Sequence, residues 1–306
     1  YSLGDYPKAI EYQERYLKIA QEIKDRLGEG QSLGNLGLAY DSLGDYPKAI
    51  EYHKRYLKIA QEIKDRLGEG AALNNLGLAY YKQGNLRNAE STLFDSMKVK
   101  ESLRGGLKDN NKITIFDTQR GTYNILQQVL IAQNKTDAAL LIAERGRARA
   151  FVELLASKLS DNSKGQLFSL PNIDQIKQIA SSQNATLVQY SITYDDFKVE
   201  GKTQWKESKL YIWVVKPTGE IAFKQVDLKS INKSLKELVI SARESIGVRG
   251  SNMFDVSVIT PSPEDPTQKL QQLHKLLIAP IADLLPKDPN ERVIFIPQAS
   301  LFSIPF

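Results

Sequence analysis

The stretch NLGLAYDSLGDYPKAIEY, Asn35–Tyr52, decides the fold of the first half of this chain. At its centre Gly44 suits the left-handed position that ends a helix, and Pro47 suits the first turn of the next one. Apolar residues recur at helical spacing on both sides of this break. The pattern predicts a first helix over about Gln31–Ser42 and a longer second helix over about Tyr46–Leu67, packed as a hairpin.

The hairpin is repeated. Residues 1–40 and 41–80 are identical at 34 of 40 positions, and a weaker third copy runs over residues 74–97. The two close copies differ only at Tyr1/Asp41, Gln13/His53, Glu14/Lys54, Gln31/Ala71, Ser32/Ala72 and Gly34/Asn74. Such a period indicates stacked helical units, each burying its face on its neighbours. We expect GEG at Gly68–Gly70 to close a unit, and Gly37 to let a partner helix approach closely.

These residues resemble the tetratricopeptide repeat (TPR). Its characteristic Leu-Gly, Ala-Tyr, Gly-x-Tyr and Ala-Ile pairs have counterparts at Leu36, Gly37, Ala39, Tyr40, Gly44, Tyr46, Ala49 and Ile50. The 40-residue period is similar to that of the longer-helix class related to Leu-Gly-Asn repeats. Two positions differ from the family pattern: Tyr16 and Tyr56 replace a small residue, and Leu38 and Leu78 stand where many peptide-clamping relatives have Asn. The resemblance implies an all-α superhelical solenoid with a groove for a protein or peptide, and the leucines argue against an acidic-peptide clamp.

Two further amphipathic helices, over residues 113–133 and 135–158, extend the predicted solenoid to residues 1–158. We expect first-helix residues to face the groove and to bind the partner. They are Asn35, Leu38, Asn75, Leu78 and Tyr81. In the alternative interpretation, Leu38 and Leu78 only fill the core between helices.

Several features of the repeat half suggest chemistry but have simpler explanations. GEGQSLG, Gly28–Gly34, is similar to a phosphate-binding loop, but no strand precedes it, so we interpret it as a turn between helices. In ERGRARAF, Arg145 and Arg149 share a helix face while Arg147 lies nearly opposite, which predicts a solvated or salt-bridged helix rather than a nucleic-acid site. His53 occupies a position held by Gln in the first copy, which predicts a surface location.

The second half changes to a mixed pattern after a polar linker. The linker and a connecting helix are expected over residues 159–184, followed by an α/β domain over 185–306. Three short runs predict strands, the last two joined as a hairpin by the turn Lys216–Glu220: Leu187–Ile192, Leu210–Val215 and Ile221–Val226. Helices over about Leu228–Ile246 and Thr267–Leu285 lead to a strand over Glu291–Ile296. Its almost continuous apolar character predicts that both of its faces are covered.

This half resembles the CHAT domain, a caspase-like peptidase domain found joined to TPR arrays, mostly in bacteria and abundantly in cyanobacteria. Five segments occur in the family's order: residues 143–156, 185–193, 210–221, 273–286 and 292–306. In that family the motif ending in PF precedes the catalytic His and Cys. The resemblance therefore implies a partial α/β domain, truncated before a His/Cys dyad, with no catalytic residue and no peptidase activity in this chain. The alternative is a non-enzymatic scaffold or signalling adaptor whose CHAT domain is degenerate.

The composition restricts the remaining chemistry. The 306 residues include no Cys and only two His, so thiolate sites, disulfides and His clusters are excluded, and we expect no metal and no cofactor. A serine nucleophile would need one of Ser191, Ser300 or Ser303 to meet His274 in space. The net charge of +5 is spread evenly, which predicts neither nucleic-acid nor membrane binding.

The ends of the sequence carry further expectations. The chain begins inside a repeat without a leader and ends on an apolar run, so we expect truncation at both ends, a cytoplasmic location and self-association through exposed apolar faces and sheet edges.

Overall fold

The computed structural model describes residues 5–103, 109–159, 172–199, 202–231, 233–245 and 266–304. The chain divides into two compact units. The first comprises residues 1–168 with 199–202, and the second comprises residues 169–198 with 203–306.

The first unit is helical. Its helices, in chain order, are α1 Tyr6–Glu22, α2 Arg26–Leu43, α3 Tyr46–Glu62, α4 Arg66–Lys82, α5 Leu86–Ser102, α6 Asp109–Ala132 and α7 Thr136–Leu159. Each helix packs on the next one along the chain, and α2 also contacts α4. The first half is therefore a helical repeat solenoid, as the tandem pattern predicts.

The break between the two helices of a unit lies where the sequence predicts it. Gly44 follows α2 with a φ of 80°, in the left-handed region where glycine has no steric penalty. Asp45 caps α3 by accepting a hydrogen bond from the Lys48 amide at 3.2 Å, and Pro47 stands in the first turn. Both predictions are confirmed.

The break between units lies elsewhere than predicted. The second helix stops at Glu62, and α4 begins at Arg66, so Gly68–Gly70 form its first turn instead of closing the unit. The reason is Asp65, which caps α4 by accepting a hydrogen bond from the Gly68 amide at 2.9 Å. Lys64 makes the turn with a φ of 58°, without the glycine that such a conformation usually favours.

Glycine within the first helices allows close helix packing. A Cβ added to Gly37 would overlap the ring of His53, and one added to Gly77 would lie 2.6 Å from Leu93 Cγ. These glycines belong to α2 and α4, and the side chains they admit come from α3 and α5. The expectation that Gly37 permits close approach is confirmed.

His53 is buried, which contradicts its predicted surface location. Its ring is fully enclosed, and its Nε2 lies 3.2 Å from Asp41 Oδ2. The other polar atoms of the pair, Asp41 Oδ1 and His53 Nδ1, are buried with no hydrogen-bond partner in the part of the chain that the structure describes. Both residues occupy positions that differ between the two close copies, so the pair is specific to the second copy.

The second unit contains a four-stranded mixed sheet. Its elements are α8 Ile173–Ser182, β1 Ala185–Val199, β2 Lys202–Val215, β3 Ile221–Asp227, α9 Leu235–Ser245, α10 Pro266–Leu277 and β4 Arg292–Ile296, with 3₁₀ turns at Ala279–Ile281 and Ala299–Ser303. The strand order is β3-β2-β1-β4. β1 and β4 are parallel, pairing Ala185 with Arg292, while β2 and β3 form the predicted antiparallel hairpin.

The central strands are buried on both faces. On one face, β1 and β2 contribute to a core that also includes α9, α10 and both 3₁₀ turns. On the other face Tyr211, Trp213 and Phe223 pack edge to face, with Tyr211 and Trp213 centroids 5.9 Å apart. β4 lies at the edge of the described sheet, and its residues are half-buried or exposed, so the prediction that both of its faces are covered is wrong.

Element boundaries in this unit shift for local reasons. α9 begins seven residues later than predicted because Ser234 and Glu237 cap it reciprocally, and α10 stops before the 3₁₀ turn that contains Pro280. β1 and β2 extend well beyond the predicted strands. The apolar run after β4 begins as a 3₁₀ turn that buries Leu301.

Candidate protein-binding surface

One side of each first helix is left uncovered by the packing of the solenoid. Residues at spacings of three and four share this side. We define the first-helix stripe as Leu27, Gln31, Asn35 and Leu38 on α2 with Leu67, Ala71, Asn75, Leu78 and Tyr81 on α4. Since α2 contacts α4, the two rows lie side by side.

Leu38 has a solvent-facing position. Its side chain is 39% exposed, whereas Leu36 on the same helix is fully buried in the core. Leu78, the equivalent residue of α4, is half-buried. Leu38 is therefore more accessible to a partner than the core leucine of the same helix.

The polar residues of the predicted site lie on the same stripe but have different neighbours. Asn35 Nδ2 donates to Gln13 Oε1 of α1 at 3.4 Å. Asn75 Oδ1 accepts from Asn74 Nδ2 at 3.4 Å. Tyr81 is half-buried near the end of α4. Both amides are half-buried at the surface of their helices.

Leu27 and Leu67 belong to the stripe but are absent from the sequence-based site. Leu67 is the more exposed, at 62%. The sequence pattern predicts it at the end of the preceding helix, because the glycines that follow resemble a turn. The signal that could have found both residues is the aspartate two positions earlier, at Asp25 and Asp65, which caps the helix on which they lie.

Ion pairs flank the stripe at the start of each first helix. Arg26 contacts Glu29 of its own helix and Glu62 at the end of α3, and Gln21 of α1 donates to Glu29 at 3.1 Å. Arg66 and Glu69 repeat the local pair on α4. The arginine that precedes each of Leu27 and Leu67 is therefore held by a carboxylate of its own helix.

A buried polar layer lies where α4, α5 and α6 meet. Lys100 Nζ donates to Thr122 Oγ1 at 2.8 Å, and Thr122 Oγ1 donates to Asn74 Oδ1 at 2.7 Å. Gln119 Nε2 donates to the Lys100 carbonyl at 3.0 Å. Burial lowers the pKa of Lys100 to about 8, because the charged ammonium loses hydration. This layer is internal and meets the first-helix stripe at Asn74, whose Nδ2 donates to Asn75 Oδ1.

The arginines of α7 are paired as the sequence predicts. Arg145 makes two bonds to Glu101, at 2.8 and 2.7 Å, and Arg147 makes two to Glu144, at 3.0 and 2.7 Å. The side chain of Arg149 lies outside the described residues. The two described arginines are therefore held by carboxylates in the solenoid.

Other candidate chemistry finds no geometric support. His274 is exposed on α10, whereas Ser191 is buried in β1, and Ser300 Oγ is buried with no hydrogen-bond partner among the described residues. Over the same residues there is no group of three or more His, Asp or Glu side chains placed to hold a metal ion. None of the described helices combines the length and the apolar character needed to cross a membrane.

Comparisons with known proteins agree with the repeat pattern. Residues 1–62 and residues 70–105 each match a family model described as tetratricopeptide repeat. The chain is 29% identical over 188 residues to tetratricopeptide repeat protein 28 of Mus musculus, and 31% identical over 140 residues to the protein of that name of Homo sapiens. These alignments cover 54% and 45% of this chain but only 7% and 5% of the relatives.

A solved structure is also similar. The crystal structure of BtubC (BKLC) from P. vanneervenii aligns with a TM-score of 0.43 and 23% identity, over 49% of this chain and 59% of that one. The family models, together with the packing of α1 to α5, identify the helical hairpins. The first half of the chain is a solenoid of tetratricopeptide repeats.

Proposed function

We propose that the first unit binds a protein or peptide through the first-helix stripe, using Asn35, Leu38, Asn75, Leu78 and Tyr81 together with Leu27 and Leu67. Tetratricopeptide repeats imply protein–protein interaction, and solenoids of this kind offer an extended surface for it. The observation that carries the assignment is the exposure of Leu38 at mid-helix, in line with Leu67 on the neighbouring row.

The chemistry of the stripe favours a partner segment with apolar side chains. Burying the exposed parts of the leucines would supply the favourable free energy, at about 25 cal/mol for each Å² of apolar surface covered. The amides of Asn35 and Asn75 can donate and accept, which suits the backbone of an extended peptide or the polar side of a helix. The stripe itself contains no charged side chain, so it does not favour a strongly acidic ligand.

The experiment compares the wild-type chain with the double variant Asn35→Arg/Asn75→Arg in pull-downs followed by mass spectrometry. We expect proteins retained by the wild type to be lost from the double variant, because two bulky cations obstruct both rows. Glu51→Arg, on an exposed position of α3, is the matched control and should retain the same proteins. An unchanged set of partners on the double variant, with its helical circular dichroism intact, would reject the stripe.

For the second unit we propose the amino-terminal, non-catalytic half of a caspase-like CHAT domain. The order of the five motif segments supports this identity. The mixed sheet supports it as well, since β4 runs parallel to β1 and lies at an edge of the described sheet. The proposal gives the protein a recruiting array joined to part of a peptidase fold, whose His and Cys would follow residue 306.

The test of this proposal has two parts. The 306 residues contain no Cys, so we expect no peptide cleavage that a thiol-directed inhibitor can abolish. A natural transcript that encodes a His and then a Cys downstream of Phe306 would favour the peptidase. A transcript without them would favour the alternative, a scaffold or signalling adaptor with a degenerate domain.

A further inference from the structure

The outward face of α1 carries a row of exposed apolar side chains. Tyr12, Tyr16 and Ile19 follow each other at helical spacing and are 64%, 43% and 51% exposed. Ile23 continues the same row at the end of the helix. Three consecutive large side chains of this kind form a patch that water solvates poorly.

The same face of α3 is covered by α2. Tyr52, Tyr56 and Ile59 are the equivalents of the three α1 residues in the second copy, and they pack in one cluster with Leu33 and Leu36 of α2. Ile59 is only 5% exposed there. For α3, the chain contains both sides of this junction: the aromatic face of α3 and the α2 helix that packs on it. For α1, only the aromatic face is present, and it is exposed.

The fit depends on two glycines. A Cβ at Gly34 would lie 3.1 Å from the Tyr56 ring, and a Cβ at Gly30 would lie 3.3 Å from the same ring. The Tyr56 ring thus fills the space that is available because Gly30 and Gly34 have no side chain. Tyr16 already has the position for this contact, since its hydroxyl approaches Gly28 as that of Tyr56 approaches Gly68.

The next junction uses the opposite combination. Between α4 and α5, Ser96 takes the place of Tyr56 and Asn74 takes the place of Gly34. Ser96 is buried and donates to the Gly70 carbonyl at 2.8 Å, while Asn74 turns to Thr122. A large residue therefore faces glycine in one junction, and a small residue faces asparagine in the other.

We propose that the α1 face is a selective docking site for a helix with the sequence pattern of α2, with Tyr16 selecting glycine at the position of Gly34. The occupant is a first helix from a further unit of this repeat, placed ahead of α1 as α2 is placed ahead of α3. A second folded copy does not offer such a helix, because its own α2 and α4 already face α3 and α5.

The experiment adds a copy of α2 ahead of α1, at the same sequence spacing that separates α2 from α3. Residues Asp25–Tyr40 are fused directly before Tyr1, which reproduces the sequence that leads into α3, with Tyr replacing Asp41. Two versions carry Gly or Asn at the position copied from Gly34, each in the wild-type and Tyr16→Ser backgrounds. Amide hydrogen exchange of α1 and the midpoint of thermal unfolding are measured for all four chains and for the unextended ones.

We expect the Gly version to slow exchange in α1 at least about tenfold and to raise the unfolding midpoint by several degrees in the wild-type background. The Asn version should give little or no gain there, and Tyr16→Ser should reverse this preference. Equal effects of the Gly and Asn versions, or no protection of α1 by either, would overturn the proposal. The first-helix stripe lies on other residues, so the pull-down result is independent of this outcome.

Discussion

At the scale of single residues, the solenoid is specified by which side chains are missing as much as by which are present. Gly37 and Gly77 hold equivalent positions on α2 and α4, yet one admits a histidine ring and the other a leucine. The glycine is constant while its partner changes. The same glycine position therefore accommodates different partner side chains in successive units.

Replacing Gly77 with Ala tests this packing. The added Cβ meets the branched carbon of a fully buried leucine, so we expect the free energy of unfolding to fall by about 1–3 kcal/mol. Gly121→Ala on α6 is the matched control, since no atom of the described residues lies within 4 Å of the added Cβ, and it should stabilise by about 0.5–1 kcal/mol. Urea unfolding measures both, and a neutral Gly77→Ala variant would contradict the close contact.

The pair Asp41 and His53 gives a second prediction at this scale. His53→Leu alone removes the hydrogen-bond partner of a buried carboxylate, and we expect it to cost about 1–3 kcal/mol. Adding Asp41→Tyr reproduces the Tyr81 and Leu93 combination of the third copy and should recover part of this loss.

A double-mutant cycle by urea unfolding measures the coupling of the pair. We expect a coupling free energy of about 0.5–3 kcal/mol. Strictly additive effects of Asp41→Tyr and His53→Leu would show that the two residues do not act as a unit.

At the scale of elements, the sequence predicts the helix hairpins, the order of helices and strands and the β2–β3 hairpin. The boundary between units is mispredicted. The turn lies at Lys64, which adopts a left-handed conformation usually associated with glycine, whereas the nearby glycines, which resemble a turn, lie in the first turn of α4. That error also removed Leu27 and Leu67 from the predicted site. The edge location of β4 depends on strand order, which the local sequence does not encode.

The contact between α5 and α6 should make stability depend on pH through Lys100. The pKa of Lys100 is about 8 in the folded chain and 10.5 in the unfolded chain. Between pH 8 and pH 10.5 the unfolded chain therefore binds more protons than the folded one, and the free energy of unfolding rises with pH. The full difference corresponds to about 3 kcal/mol. Below pH 8 both states are protonated and the effect is constant.

The measurement is urea unfolding at pH 7 and pH 10 for the wild type, Lys100→Met and the exposed control Lys98→Met. We expect the wild type and the control to gain stability relative to Lys100→Met as the pH rises. Parallel pH profiles for all three chains would show that Lys100 is hydrated in the folded state.

At the scale of the whole molecule, each unit exposes apolar surface. In the first unit the row on α1 is one such surface, and in the second unit Ile294 of the edge strand β4 is 37% exposed. Apolar helix faces and open strand edges both favour association between chains.

We therefore predict that the chain self-associates in light scattering at micromolar concentration. Ile19→Glu should reduce association that involves α1, and Ile294→Lys should reduce association through the strand edge, with the exposed Glu51→Arg as a neutral control. A monodisperse monomer for the wild-type chain would contradict this expectation.

The alternation of residues at the repeat junctions has a consequence for changes in copy number. Near-identical tandem segments in a gene recombine with one another, and the point of exchange decides what the shortened protein contains. An exchange that joins residue 20 to residue 61 deletes residues 21–60. It keeps Asn74 opposite Ser96, so the shortened array is well packed. One that joins residue 40 to residue 81 puts Gly34 opposite Ser96, leaving a void that costs stability.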